Sequence, residues 1–166
     1  AFVLAQISDC HLFAQPTTLF HGANVYQNLL AVLQDIQANK TIDALIFTGD
    51  LSQDHRVASY ENFVGIVEQA QITLPFYFVA GNHDDTKMLA QHLKRAPFNP
   101  TDFFSRELWD FHCLNSQSDS PAGYVSPEQL SQVAGQADPA HFQFIFMHHN
   151  PLDVGYFIDK HALKNQ

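Results

Sequence analysis

The chain has 166 residues, 46% hydrophobic and 15% charged, which suits one domain with a substantial core and leaves little room for two. Its 17 acidic and 8 basic side chains give a formal net charge of −9, which argues against general nucleic-acid or anionic-membrane binding. No run of about 18 apolar residues is present to span a bilayer, and no secretory leader pattern opens the sequence, so a soluble protein is expected.

Strand-like apolar runs alternate with amphipathic segments along the chain. Phe2–Ile7 reads as a strand ending at Ser8-Asp9. From Asn24, Val25, Leu29, Val32, Leu33 and Ile36 recur at helical spacing. Asp43–Thr48 is a second buried strand, ending at Gly49-Asp50, and Tyr60, Phe63, Val64 and Val67 mark another helical face. Leu74–Ala80 is a third strand, cut short by Gly81; Thr86–Lys94 predicts a short helix stopped by Pro97. Aromatic residues in rough alternation predict a hairpin over Asp102–Leu114. Ser126-Pro127-Glu128 opens a helix running to Gln136, with a capping serine before a proline at the first position. The last strand is His141–Met147, ending at His148-His149. The β-α-β-α-β rhythm predicts an α/β protein with a mostly parallel, helix-covered sheet. The two cysteines, Cys10 and Cys113, lack CxxC spacing and are expected to be reduced thiols in a cytoplasmic protein.

Ligands of open α/β sheets sit beyond the carboxyl ends of the strands. There the sequence places Asp9-Cys10-His11, Gly49-Asp50, Gly81-Asn82-His83-Asp84 and His148-His149. Each follows an apolar strand, so all four are expected to converge on one sheet edge. Taken singly these groups are weak signals: Asp-x-His is common, Gly-Asp is often a turn, and a histidine pair is often a satisfied, half-buried one. Their conjunction points to a metal site. Oxygen donors from Asp9, Asp50 and Asn82 mixed with the imidazoles of His11 and His148 suit manganese, iron, zinc or cobalt better than calcium. Five ligands exceed what one open site needs, and a carboxylate such as Asp50 can bridge two cations about 3.5–4 Å apart. Ser8 and Cys10, in an extended segment, are expected to point away from the site. Gly81 is expected where the chain turns sharply. Phe20, His21 and Tyr26 are candidates to stack on a base, with ordinary packing the commoner reason for such residues.

The pattern Asp9-x-His11, Gly49-Asp50, Gly81-Asn82-His83-Asp84 and His148-His149 resembles the calcineurin-like metallophosphoesterases. The stretches ISDCHLFAQ, FTGDLSQD, FVAGNHDD and FMHHNPLDVGYFIDKHALKN are most similar to the class III bacterial 3′,5′-cyclic AMP phosphodiesterases. The resemblance implies an α/β/β/α sandwich and two divalent or mixed-valence metal ions, iron or manganese first, with zinc or cobalt as alternatives. It implies that Asp9, His11 and a bridging Asp50 hold one ion, and Asn82 and His148 the other. His83 would serve the leaving oxygen, and Asp84 would orient His83; His149 would stand behind the ligands, although a one-residue shift between His148 and His149 is left open. The implied reaction is hydrolysis of cyclic AMP to 5′-AMP by a hydroxide held between the metals. Other phosphoesterase activities (on monoesters, nucleotides or diesters generally) and an inactive, metal-poor module are the alternatives. The expected partner is a small nucleotide or phosphoester, with a homodimer left open. The family's Gly-His-x-His motif does not follow His148-His149, and His161 is no substitute. A single domain over residues 1–166, incomplete at its C-terminal end and short of one imidazole per metal, is therefore expected, with a large apolar sheet face left uncovered.

Overall fold

In the computed structural model, which describes residues 1–166, two three-stranded sheets lie against each other, with helices on the outer side of the first. In chain order the elements are β1 (Leu4–Ile7), β2 (Leu19–Phe20), β3 (Ala23–Asn24), α1 (Val25–Ala38), β4 (Ala44–Phe47), α2 (Val57–Gln69) and β5 (Phe76–Phe78). Then come α3 (Thr86–His92), β6 (Phe103–Arg106), β7 (Trp109–Cys113), α4 (Pro127–Gln136), β8 (Phe142–Phe146) and a 3-10 turn at Phe157–His161. No helix is long and apolar enough to cross a membrane.

The first sheet is parallel, in the order β1-β4-β5, as continuous apolar runs with helical crossovers require. Its central strand β4 is buried throughout, and the period-two alternation of a strand divides its side chains between two cores. Leu45 and Phe47 join Leu33, Tyr60, Phe63 and Ile66 under the helices. Ala44 and Ile46 face the second sheet, where Tyr77 stacks on Phe104 and Phe111 and Phe146 close the layer. Phe63 is fully buried among Phe47, Phe76 and Phe98, so its truncation to alanine is expected to cost about 3–5 kcal/mol. The Asn24 side chain caps α1 by accepting from the Gln27 N–H, and Ser126 caps α4 in the same way through Gln129.

The second sheet is mixed. β6 and β7 form the expected antiparallel hairpin, and β8 pairs parallel to β7 after the α4 crossover. The last strand therefore belongs to this second sheet, and the four strand-end groups do not share one edge. Those after β1, β4 and β5 come from the first sheet, and His148-His149 comes from the facing one. On the outer side of β7, the carboxylate of Asp110 is buried. It accepts from Ser105 Oγ at 2.6 Å, His141 Nδ1 at 2.9 Å, the Asp138 N–H at 2.9 Å and Gln143 Nε2 at 3.1 Å. One pairing escaped sequence analysis, the two-residue strands β2 and β3. His21 and Gly22 connect them with φ of 48° and 83°, the doubly positive geometry of a tight hairpin turn.

Candidate metal centre

The chain leaves β1 and β4 by a sharp left-handed step. Asp9, His11 and Asp50 have φ of 55°, 43° and 60°, a region non-glycine residues seldom occupy and one concentrated at functional sites. The segment after β1 is therefore not extended as expected: Ser8 Oγ does not point away but donates to the Asp9 carboxylate. Cys10 packs inward, its Sγ 3.4 Å from the Leu51 carbonyl oxygen. Burial pushes its thiol well above the ordinary range, and that of Cys113 up to about 12, so neither is poised as a nucleophile.

Asp50 is the centre of the arrangement, with its residue only 4% exposed. Its Oδ2 lies 3.7 Å from His11 Nε2, which is itself 3.6 Å from Asp9 Oδ1. Its Oδ1 lies 3.5 Å from His148 Nε2, which is 3.2 Å from Asn82 Oδ1. One carboxylate thus offers an oxygen to each of two donor sets. Donor atoms of Asp9, Asp50 and His148 all lie within 4.8 Å of one another. His148 Nδ1 is 2.9 Å from the Thr48 carbonyl oxygen, which only accepts, so the ring proton sits on Nδ1 and Nε2 presents a lone pair to the cluster. Lone pairs facing carboxylate and carboxamide oxygens at 3.2–3.5 Å call for a cation, or a second ring proton, between them. Two ligands each about 2.1 Å from one metal span roughly 3 Å at a right angle, so the residues present fit metal ions in both sets.

The electrostatics agree with that fit. Burial works to raise the Asp9 carboxyl, but hydrogen bonds from His11 and Ser8 and the nearby imidazoles bring it below the usual carboxylate range. The bond to Asp9 in turn raises His11, against the opposing effect of burial. An open cleft of about 830 Å³ is lined by Asp9, Asp50, Asn82, His83 and His148 on its polar side, with Ile145, Met147 and Ile158 among its apolar residues.

The structure separates His148 from its neighbour. His149 is buried, bonds Ser116 Oγ through Nδ1 at 2.8 Å and reaches the Pro121 carbonyl oxygen through Nε2 at 3.2 Å, so neither nitrogen faces the cluster. Burial holds it below the usual imidazole range.

Asp84 corrects a second expectation. No hydrogen bond joins its carboxylate to the His83 ring; it accepts instead from the backbone N–H groups of Asp50 (2.9 Å), Leu51 (2.8 Å), Ser52 (3.2 Å) and Gly81 (2.9 Å). Burial pushes its pKa up, and those backbone donors pull against the rise without cancelling it. Asp84 is a strut joining the loops after β4 and β5. Gly81 is likewise not a positive-φ turn. It is needed because the loops approach so closely that a Cβ there would lie 2.2 Å from Asp50 Oδ1. Gly49, at φ +105°, does make the sharp turn, and leaves room for His148 Nδ1.

His83 lines the cleft beside Asn82, its N–H bonded to Asp50 Oδ1 at 2.9 Å and its Nδ1 buried without a partner. Two neighbours set the ring's position: His55, which sequence analysis missed and which stacks on it, and His11, which meets it edge-on. Nothing in the spacing of His55 relative to the strand ends would have singled it out. Phe20 stacks on His11 with ring centres 5.2 Å apart, so one of the proposed base-stacking residues packs against a site residue.

The calcineurin-like phosphoesterase family model matches residues 2–165, and the chain belongs to that family. A probable cyclic nucleotide phosphodiesterase of Colwellia psychrerythraea is 44% identical over 162 residues, covering 98% of this chain and 62% of that protein. The 3′,5′-cyclic adenosine monophosphate phosphodiesterase of Escherichia coli is 33% identical over 168 residues, 98% of this chain and 60% of its own length. A 3′,5′-cyclic-nucleotide phosphodiesterase of Nostoc is 32% identical over 167 residues, with 98% and 62% covered. The chain thus spans about three-fifths of the length of these curated relatives.

Proposed function

We propose that the protein carrying this chain is a metal-dependent phosphodiesterase that hydrolyses 3′,5′-cyclic AMP to 5′-AMP. The observation that carries the reading is the buried Asp50 carboxylate, one oxygen toward His11 and the other toward His148. The names of the relatives supply the substrate class.

Asp9, His11 and Asp50 would hold one ion, and Asp50, Asn82 and His148 the other, with iron or manganese suited to this mixture of oxygen and imidazole donors. When bound, such ions neutralise charge on a phosphoryl group and make water acidic enough to be a nucleophile near neutral pH. The chain's own residues do the rest. Asp84 fixes the backbone that carries Asp50. The Thr48 carbonyl keeps the His148 proton on Nδ1. With His83 Nδ1 buried, Nε2 is the ring atom left to pass a proton to the departing alkoxide. The reading places the protein in the cytoplasm, where free thiols such as Cys10 and Cys113 persist.

The test uses the protein at its full encoded length. Purified with manganese or iron, it should bind two ions and convert cyclic AMP to 5′-AMP. Asn82→Ala should lose one ion and most turnover. His83→Ala should keep both ions and slow turnover by about 10²–10⁴-fold. Two bound ions with no cleavage of any cyclic nucleotide, but with cleavage of phosphomonoesters, would sink the substrate assignment. A protein that binds no metal would sink the whole reading.

A further inference from the structure

His83 lacks the carboxylate that usually steadies such an imidazole, because Asp84 is spent on backbone N–H groups. Something else must hold the ring. His55 lies parallel to it, with ring centres 5.6 Å apart and planes 3° from parallel, within the range of offset stacking. His55 Nδ1 also donates to the His83 backbone carbonyl at 2.9 Å, so the two residues are joined at ring and main chain. His11 meets the His83 ring edge-on at 5.3 Å and 83°, closing another side.

The stacking partner is itself held. His55 sits at φ 57°, and its N–H donates to Ser52 Oγ at 2.9 Å. Next to it, the Asp54 carboxylate accepts from the Ala14 N–H at 2.8 Å, the Arg56 N–H at 3.2 Å and the Ser59 hydroxyl, pinning the loop between β4 and α2. On the open side lies a shallow hollow of about 350 Å³, lined by residues that include His55, His83 and Ser118. His55 is exposed to solvent there, and of the two rings that meet His83 it alone lies parallel to it.

We propose that His55 is a positioning residue for His83: the parallel stack and the Nδ1–carbonyl bond hold the His83 ring in its place on the cleft wall. The inference rests on the reading of His83 as the residue that serves the leaving oxygen. It gives this loop position a role in turnover without contact with substrate or metal.

The experiment compares wild type with H55G, H55F and H55L in the full-length protein. Glycine is the natural occupant of φ 57°, so H55G removes the ring without adding backbone strain. Phenylalanine keeps a flat face; leucine does not. Three quantities are measured: hydrolysis of bis(4-nitrophenyl) phosphate with manganese, melting temperature, and the His83 imidazole NMR resonances of the metal-free protein, assigned with H83Q. H55G and H55L should lower kcat roughly ten- to a hundredfold, as expected for a misplaced group, with KM, metal content and melting temperature little changed. H55F should recover most of the loss. The His83 resonances should move in H55G and H55L as the ring current of the stack disappears, and move less in H55F.

An unchanged kcat in H55G and H55L overturns the proposal. So does a rise in KM alone, which would make His55 a substrate contact. So does an H55F as slow as H55L. If the wild type cleaves no diester, the functional reading fails, and the resonances still decide the stack: unmoved His83 signals in H55L overturn it. Should H55G not fold, H55F and H55L still separate the outcomes, and equal rates in those two variants overturn the proposal.

Discussion

At the scale of single residues, Asp84 shows how chemistry can be legible while its purpose is not. The sequence marks it as polar, adjacent to a histidine and at a strand end. Its actual partners include three N–H groups 32 to 34 residues earlier in the chain, and no local spacing reveals those. An orienting carboxylate and a strut predict different things. As a strut, Asp84→Ala leaves four backbone donors without their acceptor and should cost at least about 3 kcal/mol of stability. Urea unfolding of the metal-free protein measures this. Unchanged stability with slowed turnover would restore the orienting role. The choice between His148 and His149 was also closed to the sequence, because it depends on which ring meets the Thr48 carbonyl and which meets Ser116. Asp9, His11, Asp50 and Asn82, by contrast, were readable from the strand ends, since apolar strands and abrupt polar exits are local patterns.

At the scale of elements, the first sheet and its helices follow from apolar run length and helical period, and the structure trims them by a few residues: α3 stops at His92, and β5 covers only Phe76–Phe78. The assignment of β8 to a second sheet was hidden, since an apolar run does not name its neighbour. The tie between β7 and β8 gives a pH signature. The bond to His141 holds Asp110 far below the usual carboxylate range, and the same bond raises His141. A lowered carboxyl contributes stability above its unfolded value, near 3.9, that is lost as pH falls through its folded value. A raised imidazole contributes stability below its unfolded value, near 6.5, that is lost as pH rises through its folded value. The pair therefore stabilises most between about pH 4 and 6.5. His141→Gln should destabilise at pH 5.5 and matter progressively less toward pH 9, as urea midpoints of both proteins would reveal. An equal effect at both pH values would mean that shape, not charge, joins the strands.

At the scale of the molecule, the face of the second sheet that packs on the first is only partly covered and leaves apolar surface exposed along β8. Phe142 and Phe144 are 62% and 45% exposed, and beside them an apolar cavity of about 410 Å³ is lined by Phe2, Trp109, Phe111 and Phe144. A contiguous patch of this kind drives association. The 166-residue chain by itself should sediment as concentration-dependent oligomers and bind a hydrophobic dye, and Phe144→Ser should weaken both. A strictly monomeric, dye-silent chain would contradict this.

His148 is the one residue of the candidate site that comes from the second sheet, and it bonds the Thr48 carbonyl across 100 positions of sequence. A cation shared by Asp50, Asn82 and His148 would consequently fasten the two halves of the protein to each other, as well as prepare a substrate. Its binding energy would add to the cooperativity of unfolding, because any opening between the sheets would have to release it. Stripping the metal with a chelator should then loosen one half more than the other. Amides of β6, β7 and β8 should exchange with solvent faster, while those of β1, β4 and β5, wrapped by α1 and α2, keep their protection.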